Sequence, residues 1–334
     1  MGHVAILGAG AWGTALARVL AEHGEPVALW TWQAAHAAEL IQARENAAFL
    51  PGFSLPEQVA PTSDLGQALR GADLVVLVVP TTALRETLRQ ASPHLAADAA
   101  LVTASKGIEP DSLMLLSEVI SDVLGQGAGG RSAFLSGPSF AQEVARGLPT
   151  NVVVAATHHE LSVTVQQRLA TERLRIYSSD DPIGVQVGGA LKNVIAIAAG
   201  ACDGLGFGHN TRAALITRGL GEMARLAIAK GGNVLTLAGL AGLGDLVLTC
   251  TAELSRNRTV GFEMGQGKPL DRVLFELGHV AEGVTTAKSA YYLAERLGVE
   301  LPICNEVYRV LFEDKPVGEA VQDLLHRPLK REWG

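Results

Sequence analysis

Gly8, Gly10 and Gly13 stand in the spacing G-x-G-x-x-G directly after the short apolar run 3–7. The first glycine permits a tight turn, the second lets a pyrophosphate approach the backbone, and the third lets a helix pack closely on the preceding strand. Trp12, Leu16, Val19 and Leu20 then recur at i, i+4, i+7 and i+8, one apolar face of a helix, and residues 26–30 supply a second strand. Strand, glycine turn, helix and strand in register point to a dinucleotide held at a helix N-terminus, where free amides and the positive end of the helix dipole meet the diphosphate. A glycine-rich structural turn is the plainer alternative.

The alternation continues with strand-like runs at 73–79, 99–104, 132–135, 151–156 and 174–177, each followed by a turn and a helical period. That is the pattern of a parallel sheet covered by helices, and the near-continuous apolar run DLVVLVVP reads as a strand buried on both faces. After Tyr177 the residues Ser178, Ser179, Asp180, Asp181 and Pro182 give a turn and a helix start. Long Ala-, Leu- and Gly-rich stretches such as GGALKNVIAIAAGA follow, without strand alternation. The expectation is an α/β Rossmann-type domain with a parallel-rich sheet at 1–180, followed by an all-α domain at 181–334. The length of 334 residues fits two domains at roughly 150 each. Glycine-rich phrases beginning at Gly204, Gly219 and Gly239 are unequally spaced, so no internal repeat is expected.

Lys and Arg total 27 against 34 Asp and Glu, a net charge of −7 that disfavours nucleic acid and anionic lipid as partners. An anionic ligand therefore needs a local basic pocket. Arg256 offers one, with planar donors flanked by the hydroxyl of Ser255 and the amide of Asn257, a set suited to a phosphate dianion; a solvated helix start is the alternative. Arg258, two residues on, is expected at the surface. Lys106 follows the strand-like ALVTAS and so should emerge at the carboxyl end of the sheet, where open α/β folds bind ligands. Lys192 interrupts a long, nearly uncharged helical stretch, and composition alone favours a lysine snorkelling to solvent. At Asp245, after Gly244, a helix N-cap is the plainer alternative and is compatible with a place in the site.

Three cysteines without metal-ligand spacing suit a reducing compartment, and hence the cytoplasm. The longest stretch free of Asp, Glu, Lys and Arg, residues 1–17, is broken by glycines and falls short of the roughly 18 residues that suggest a membrane span. No span is expected. No metal is expected either: His158 and His159 are neighbours that diverge by about 100° on a helix. Past the second strand stand Thr31, Trp32 and Gln33, with neither an acid for a ribose hydroxyl nor an arginine for a 2′-phosphate, so NAD and NADP both stay open. Trp32 either stacks on adenine or is an ordinary half-buried aromatic.

Seven phrases, GAGAWGTALA from Gly8, SKG from Ser105, SGPSFA from Ser136, LKN from Leu191, GLGDL from Gly242, SRNR from Ser255 and AEG from Ala281, together resemble the bacterial NAD(P)-dependent glycerol-3-phosphate dehydrogenases over nearly the whole chain. The chain departs from the pattern at Trp32 and Gln33, where many relatives carry a basic residue, and at His209 in GFGHNTRAALITRG, where they carry Asp. The first departure leaves the cofactor preference open, and the second has no reading from sequence.

The resemblance implies interconversion of dihydroxyacetone phosphate and sn-glycerol 3-phosphate, with NAD or NADP exchanging hydride with the middle carbon, in supply of phospholipid synthesis. It implies Lys192 as the proton carrier, Lys106 as a neighbouring cation that lowers its pKa, and Asp245 as the group that orients the lysine or the substrate hydroxyls. With these, Gly137, Ser139, Ser255, Arg256 and Asn257 are implied to bind substrate, a plain Gly-Pro turn being the alternative at Gly137 and Ser139. Gly8, Gly10, Ala11, Trp12, Gly13, Trp32, Gln33, Lys106, Ala141, Arg256, Val280 and Glu282 are implied to meet the dinucleotide, Ala141 by being too small to clash and Glu282 by accepting from a ribose or amide group. A homodimer is compatible with the resemblance. Two other functions keep the glycines. A related Rossmann-plus-helical reductase of hydroxy acids or keto acids has no need for SRNR, and a non-catalytic dinucleotide sensor has none for Lys106, Lys192 and Asp245 together.

Overall fold

The computed structural model describes residues 2–278, 280–329 and 331–332. Ten strands form in the first half: β1 (His3–Leu7), β2 (Val27–Trp30), β3 (Glu45–Asn46), β4 (Leu50–Ser54), β5 (Val59–Thr62), β6 (Ala72–Leu77), β7 (Ala100–Thr103), β8 (Ser132–Ser136), β9 (Thr150–Ala156) and β10 (Leu174–Ser179). Eight of them make one sheet in the order β10-β9-β8-β7-β6-β1-β2-β5. Its pairs are parallel except β8 with β9. The parallel-rich sheet expected from the sequence is therefore present.

Helices α1 (Ala11–Glu22), α2 (Ala34–Ala43), α3 (Leu65–Leu69), α4 (Thr81–Ala91), α5 (Leu116–Leu124), α6 (Ala141–Ala145) and α7 (His159–Leu169) cover its faces. Alternate residues of β1 point to opposite sides, so Val4 and Ile6 pack with Leu16 and Leu20 of α1, while Ala5 and Leu7 pack with Leu84 and Leu88 of α4. From β1 the chain winds outward through β2 on one side and resumes at β6 on the other, which makes the carboxyl end of β1 the switch point where ligands bind in such sheets.

Three strands have no counterpart in the sequence reading. β3 is only two polar residues, and β4 carries Pro51 and Gly52, so neither shows a strand alternation. β5 contains Pro61, which a central strand would exclude; β5 is an edge strand and pairs only with β2.

The sheet ends at Ser179, and Asp181 caps the next helix by accepting the amide of Gly184 at 2.9 Å, with Pro182 in the first turn. From there the described residues are helical: α8 (Pro182–Gly204), α9 (His209–Ala229), α10 (Val234–Leu237), α11 (Asp245–Thr251), α12 (Arg256–Gly265), α13 (Leu270–Leu277), α14 (Glu282–Leu297), α15 (Pro302–Phe312) and α16 (Val317–Leu325). α8 is the axis of this half, packed against α9, α11, α12, α14 and α15, and its apolar sequence follows from burial on nearly every side. Residues Pro182–Gly204 and Val234–Thr251 are each long and apolar enough to match a bilayer, which the rule based on charge-free runs did not register. The first is 94% buried among other helices, as a core helix is.

Candidate active site

At the switch point the glycines divide the work. Gly8 leaves β1 at φ +122°, a conformation that L side chains rarely adopt, and a Cβ at Gly13 would lie 1.9 Å from the Gly8 carbonyl oxygen. Gly10 is different. Its φ is −74° and a Cβ there would meet nothing within 4 Å, so neither conformation nor protein packing asks for glycine, and the backbone is open to the close approach of a ligand. α1 starts at Ala11 without a side-chain cap, leaving its first amides for that ligand. These residues fit a dinucleotide diphosphate.

At the same carboxyl end of the sheet, two strands away at β7, begins a cluster of charges. Lys106, just beyond β7, donates to Asp245 Oδ2 at 2.8 Å and to the Gly137 carbonyl at 3.3 Å. Lys192, in the middle of α8, donates to Asp245 Oδ1 at 2.6 Å and to Thr249 Oγ1 at 3.1 Å. Its side chain is 8% exposed and that of Asp245 2%, so the snorkelling lysine and the N-cap carboxylate are both corrected. α8 reaches the site because Gly188 lacks a side chain: a Cβ would lie 2.4 Å from the Ala241 carbonyl oxygen. Asp245 follows a π-helical turn, Leu240–Gly244, which directs its carboxylate between the lysines instead of back to the helix start.

An ammonium has three donors, and among the described residues each lysine uses two. One N–H of each has no partner among the described residues. Burial pulls the Lys192 pKa down to about 8; Asp245 resists that shift and the charge of Lys106 adds to it. Burial alone would raise the Asp245 carboxyl, but Lys106 and Lys192 outweigh it and hold the carboxyl below its ordinary value.

The family models for the N-terminus and C-terminus of NAD-dependent glycerol-3-phosphate dehydrogenase match residues 3–162 and 181–322. The chain is 51% identical over 330 residues to the glycerol-3-phosphate dehydrogenase [NAD(P)+] of Syntrophotalea carbinolica, covering 99% of each. It is also 51% identical to that of Geobacter sp. strain M21, covering 98% of each. The crystal structure of glycerol-3-phosphate dehydrogenase from Coxiella burnetii superposes with a TM-score of 0.94 at 42% identity, covering 98% of this chain and 99% of that one. The chain belongs to the NAD-dependent glycerol-3-phosphate dehydrogenase family.

Other residues implied by membership of this family are distributed unevenly. Arg256 opens α12, exposed and with no hydrogen bond or ion pair to another described residue, while Ser255 is the N-cap of that helix and accepts the Arg258 amide at 3.3 Å. Asn257 is committed elsewhere, donating to Asn193 Oδ1 at 3.0 Å and accepting the Gly283 amide at 2.9 Å, so it ties α8, α12 and α14 together. Ser139 donates to the Gly137 carbonyl at 3.0 Å. Trp12 and Ala141 pack on the same small cluster beside α1. Val280 is exposed, and Glu282 accepts from the Thr81 amide at 3.4 Å and hydroxyl at 3.1 Å across the crevice. Burial pushes the Glu282 carboxyl up to about 7 against those bonds and the nearby Arg256 and Lys106.

Trp32 is 75% exposed, which corrects the half-buried alternative, and Gln33 stands exposed just before α2 without capping it by a side-chain bond. His209 opens α9, also exposed. Arg258 is not a surface residue: α12 lies against α8, and Arg258 donates to Asp203 Oδ2 at 2.7 and 3.0 Å while Arg212 takes Oδ1. The sequence reading also missed Thr249, one helical turn after Asp245, and Thr81, which nothing local distinguishes from an ordinary helix start.

Proposed function

We infer that this chain reduces dihydroxyacetone phosphate to sn-glycerol 3-phosphate, and reverses that reaction, with NAD or NADP as the hydride carrier. The observation that carries this reading is the convergence of Lys106 and Lys192 on the buried Asp245 at the carboxyl end of β7. The amides at Gly10 and the start of α1 would hold a dinucleotide through its diphosphate, and that group would supply or accept the hydride at the substrate's middle carbon. Hydride addition leaves negative charge on the former carbonyl oxygen. Lys192 Nζ gives that oxygen a proton and is left as a neutral amine, which solvent reprotonates; with a pKa near 8 both forms are accessible at working pH. Lys106 stabilises the developing charge, and Asp245 holds both ammonium groups in place by accepting from each. Arg256, free of protein partners among the described residues, meets the phosphate with charge-assisted donors.

A sensor without turnover would gain little from this centre, because burying ions costs several kcal/mol each before pairing offsets it. A reductase of unphosphorylated keto acids has no phosphate for Arg256 to anchor, and because its substrate's carboxylate could also pair with a guanidinium, substrate preference is what separates the two readings. Three free, buried cysteines support a reducing compartment, and we place the reaction in the cytoplasm, feeding phospholipid synthesis. The test is nicotinamide absorbance with dihydroxyacetone phosphate, using NADH and NADPH in parallel. Oxidation of at least one nucleotide is expected; turnover of keto acids in preference to the phosphorylated ketone would reject the reading.

A further inference from the structure

We propose that Asn46 is a positioning residue for the dinucleotide, acting through the peptide bond between Ala9 and Gly10; this rests on the reading that the glycine turn holds the diphosphate. Asn46 lies in β3 and is 1% exposed. Its Nδ2 donates to the Ala9 carbonyl at 2.9 Å and to Thr14 Oγ1 at 2.7 Å. Its Oδ1 accepts the Phe49 amide at 3.3 Å and faces His36 Nε2 at 3.1 Å. The Ala9 oxygen can only accept, so the amide cannot be turned round. Oδ1 therefore faces His36, whose Nε2 must carry the proton, and His36 Nδ1 lies 3.2 Å from Thr31 Oγ1. A buried polar chain thus runs from the end of β2 through His36 and Asn46 to the middle of the glycine turn.

The turn needs such a bracket. Glycines on both sides of Ala9 leave the peptide planes of the turn unusually free to rotate. In a trans peptide the carbonyl and the next N–H point in opposite directions, so drawing the Ala9 oxygen toward Asn46 turns the Gly10 N–H away from it. That N–H has no hydrogen-bond partner among the described residues, and a Cβ on Gly10 would enter open space. Rotating the peptide would strand a buried amide donor of Asn46, a penalty that holds the Gly10 N–H ready for a phosphate oxygen.

The experiment is NADH binding followed by its fluorescence, with displacement by ADP and by adenosine. Asn46→Asp keeps the shape and loses both donations; Asn46→Ala removes the bracket without a new buried charge and serves if the first variant folds poorly. Both are expected to weaken NADH and ADP about tenfold or more, and adenosine, which lacks the diphosphate, by no more than about twofold. Thr14→Val, which removes only the other acceptor, separates position from general stability: it should lower the unfolding temperature yet keep NADH affinity within about twofold. Unchanged NADH affinity in both Asn46 variants, or equal losses for ADP and adenosine, would overturn the proposal. Wild-type protein that binds neither NADH nor NADPH would overturn the dinucleotide reading itself.

Discussion

One wall of the proposed site is a short backbone run, Gly10 to Gly13, with amides at a helix start, whereas the other is built from two ammonium groups that converge on Asp245, one from the end of β7 and one from α8. Amides do not titrate, and the strength of that wall is set by geometry alone. The lysines owe their properties to one another and to burial, which lowers Lys192 to about 8 while the pair keeps Asp245 charged. The first wall should therefore govern how tightly the nucleotide is held, and the second how fast and at what pH the proton moves. Damage to one wall should leave the other's property nearly intact.

Lys192→Ala gives the largest expected break. Turnover at saturating substrate should fall by about 10² to 10⁴, the usual contribution of one general acid or base, while NADH affinity stays within a few-fold. Rapid turnover in that variant would remove Lys192 from the chemistry. The same residue sets the pH dependence. Ketone reduction needs the ammonium form, so its rate should decline as pH rises through about 8; alcohol oxidation needs the neutral amine and should rise over the same interval. Steady-state profiles in both directions check this, and flat profiles there would argue for another proton carrier. Stability has a definite sign too. A folded pKa near 8 below an ordinary 10.5 means the unfolded chain binds more protons between those values, so this group contributes stability above about 10.5 that is lost as pH falls through about 8.

The two walls also differ in how far sequence discloses them. The glycine wall is contiguous, and its spacing carries its mechanism, so strand, turn and helix could be read directly. The eight-strand sheet was legible wherever strands were apolar and repeated, but the edge strand with Pro61 and the hairpin carrying Asn46 were not, because their pairing is fixed by neighbours distant in sequence. For the charged wall, composition favoured a solvent-facing Lys192. Only the resemblance, and then the packing of α8, put it inside. Arg258 shows the limit: two residues from Arg256, it turns to Asp203 because α12 packs on α8, a contact no local pattern encodes.

A smaller effect probes the phosphate end. Arg256→Ala should cost about 1.5 to 3 kcal/mol of transition-state binding, roughly 10- to 150-fold in kcat/KM, as one charge-assisted contact disappears. Its signature is a narrowed preference for dihydroxyacetone phosphate over dihydroxyacetone. If that preference persisted undiminished, Arg256 would belong to neither wall and the anchor would have to be sought among Ser139 and the amides near Gly137.

The finest test lies within the glycine wall, where Gly10 and Gly13 play different parts. At Gly10 the backbone angle suits any residue and a methyl group would meet no protein atom, so Gly10→Ala should change the unfolding free energy by less than about 1 kcal/mol. The same methyl would occupy the space through which a diphosphate approaches, and NADH affinity should fall about tenfold, with turnover at saturating nucleotide largely kept. Gly13→Ala would instead force apart the helix and strand, since its Cβ would lie 1.9 Å from the Gly8 oxygen, and should destabilise the fold before any ligand is added. Calorimetry with and without NADH separates the two outcomes. Equal destabilisation by both substitutions would mean that the whole turn is structural, and that its backbone amides are not there for a nucleotide.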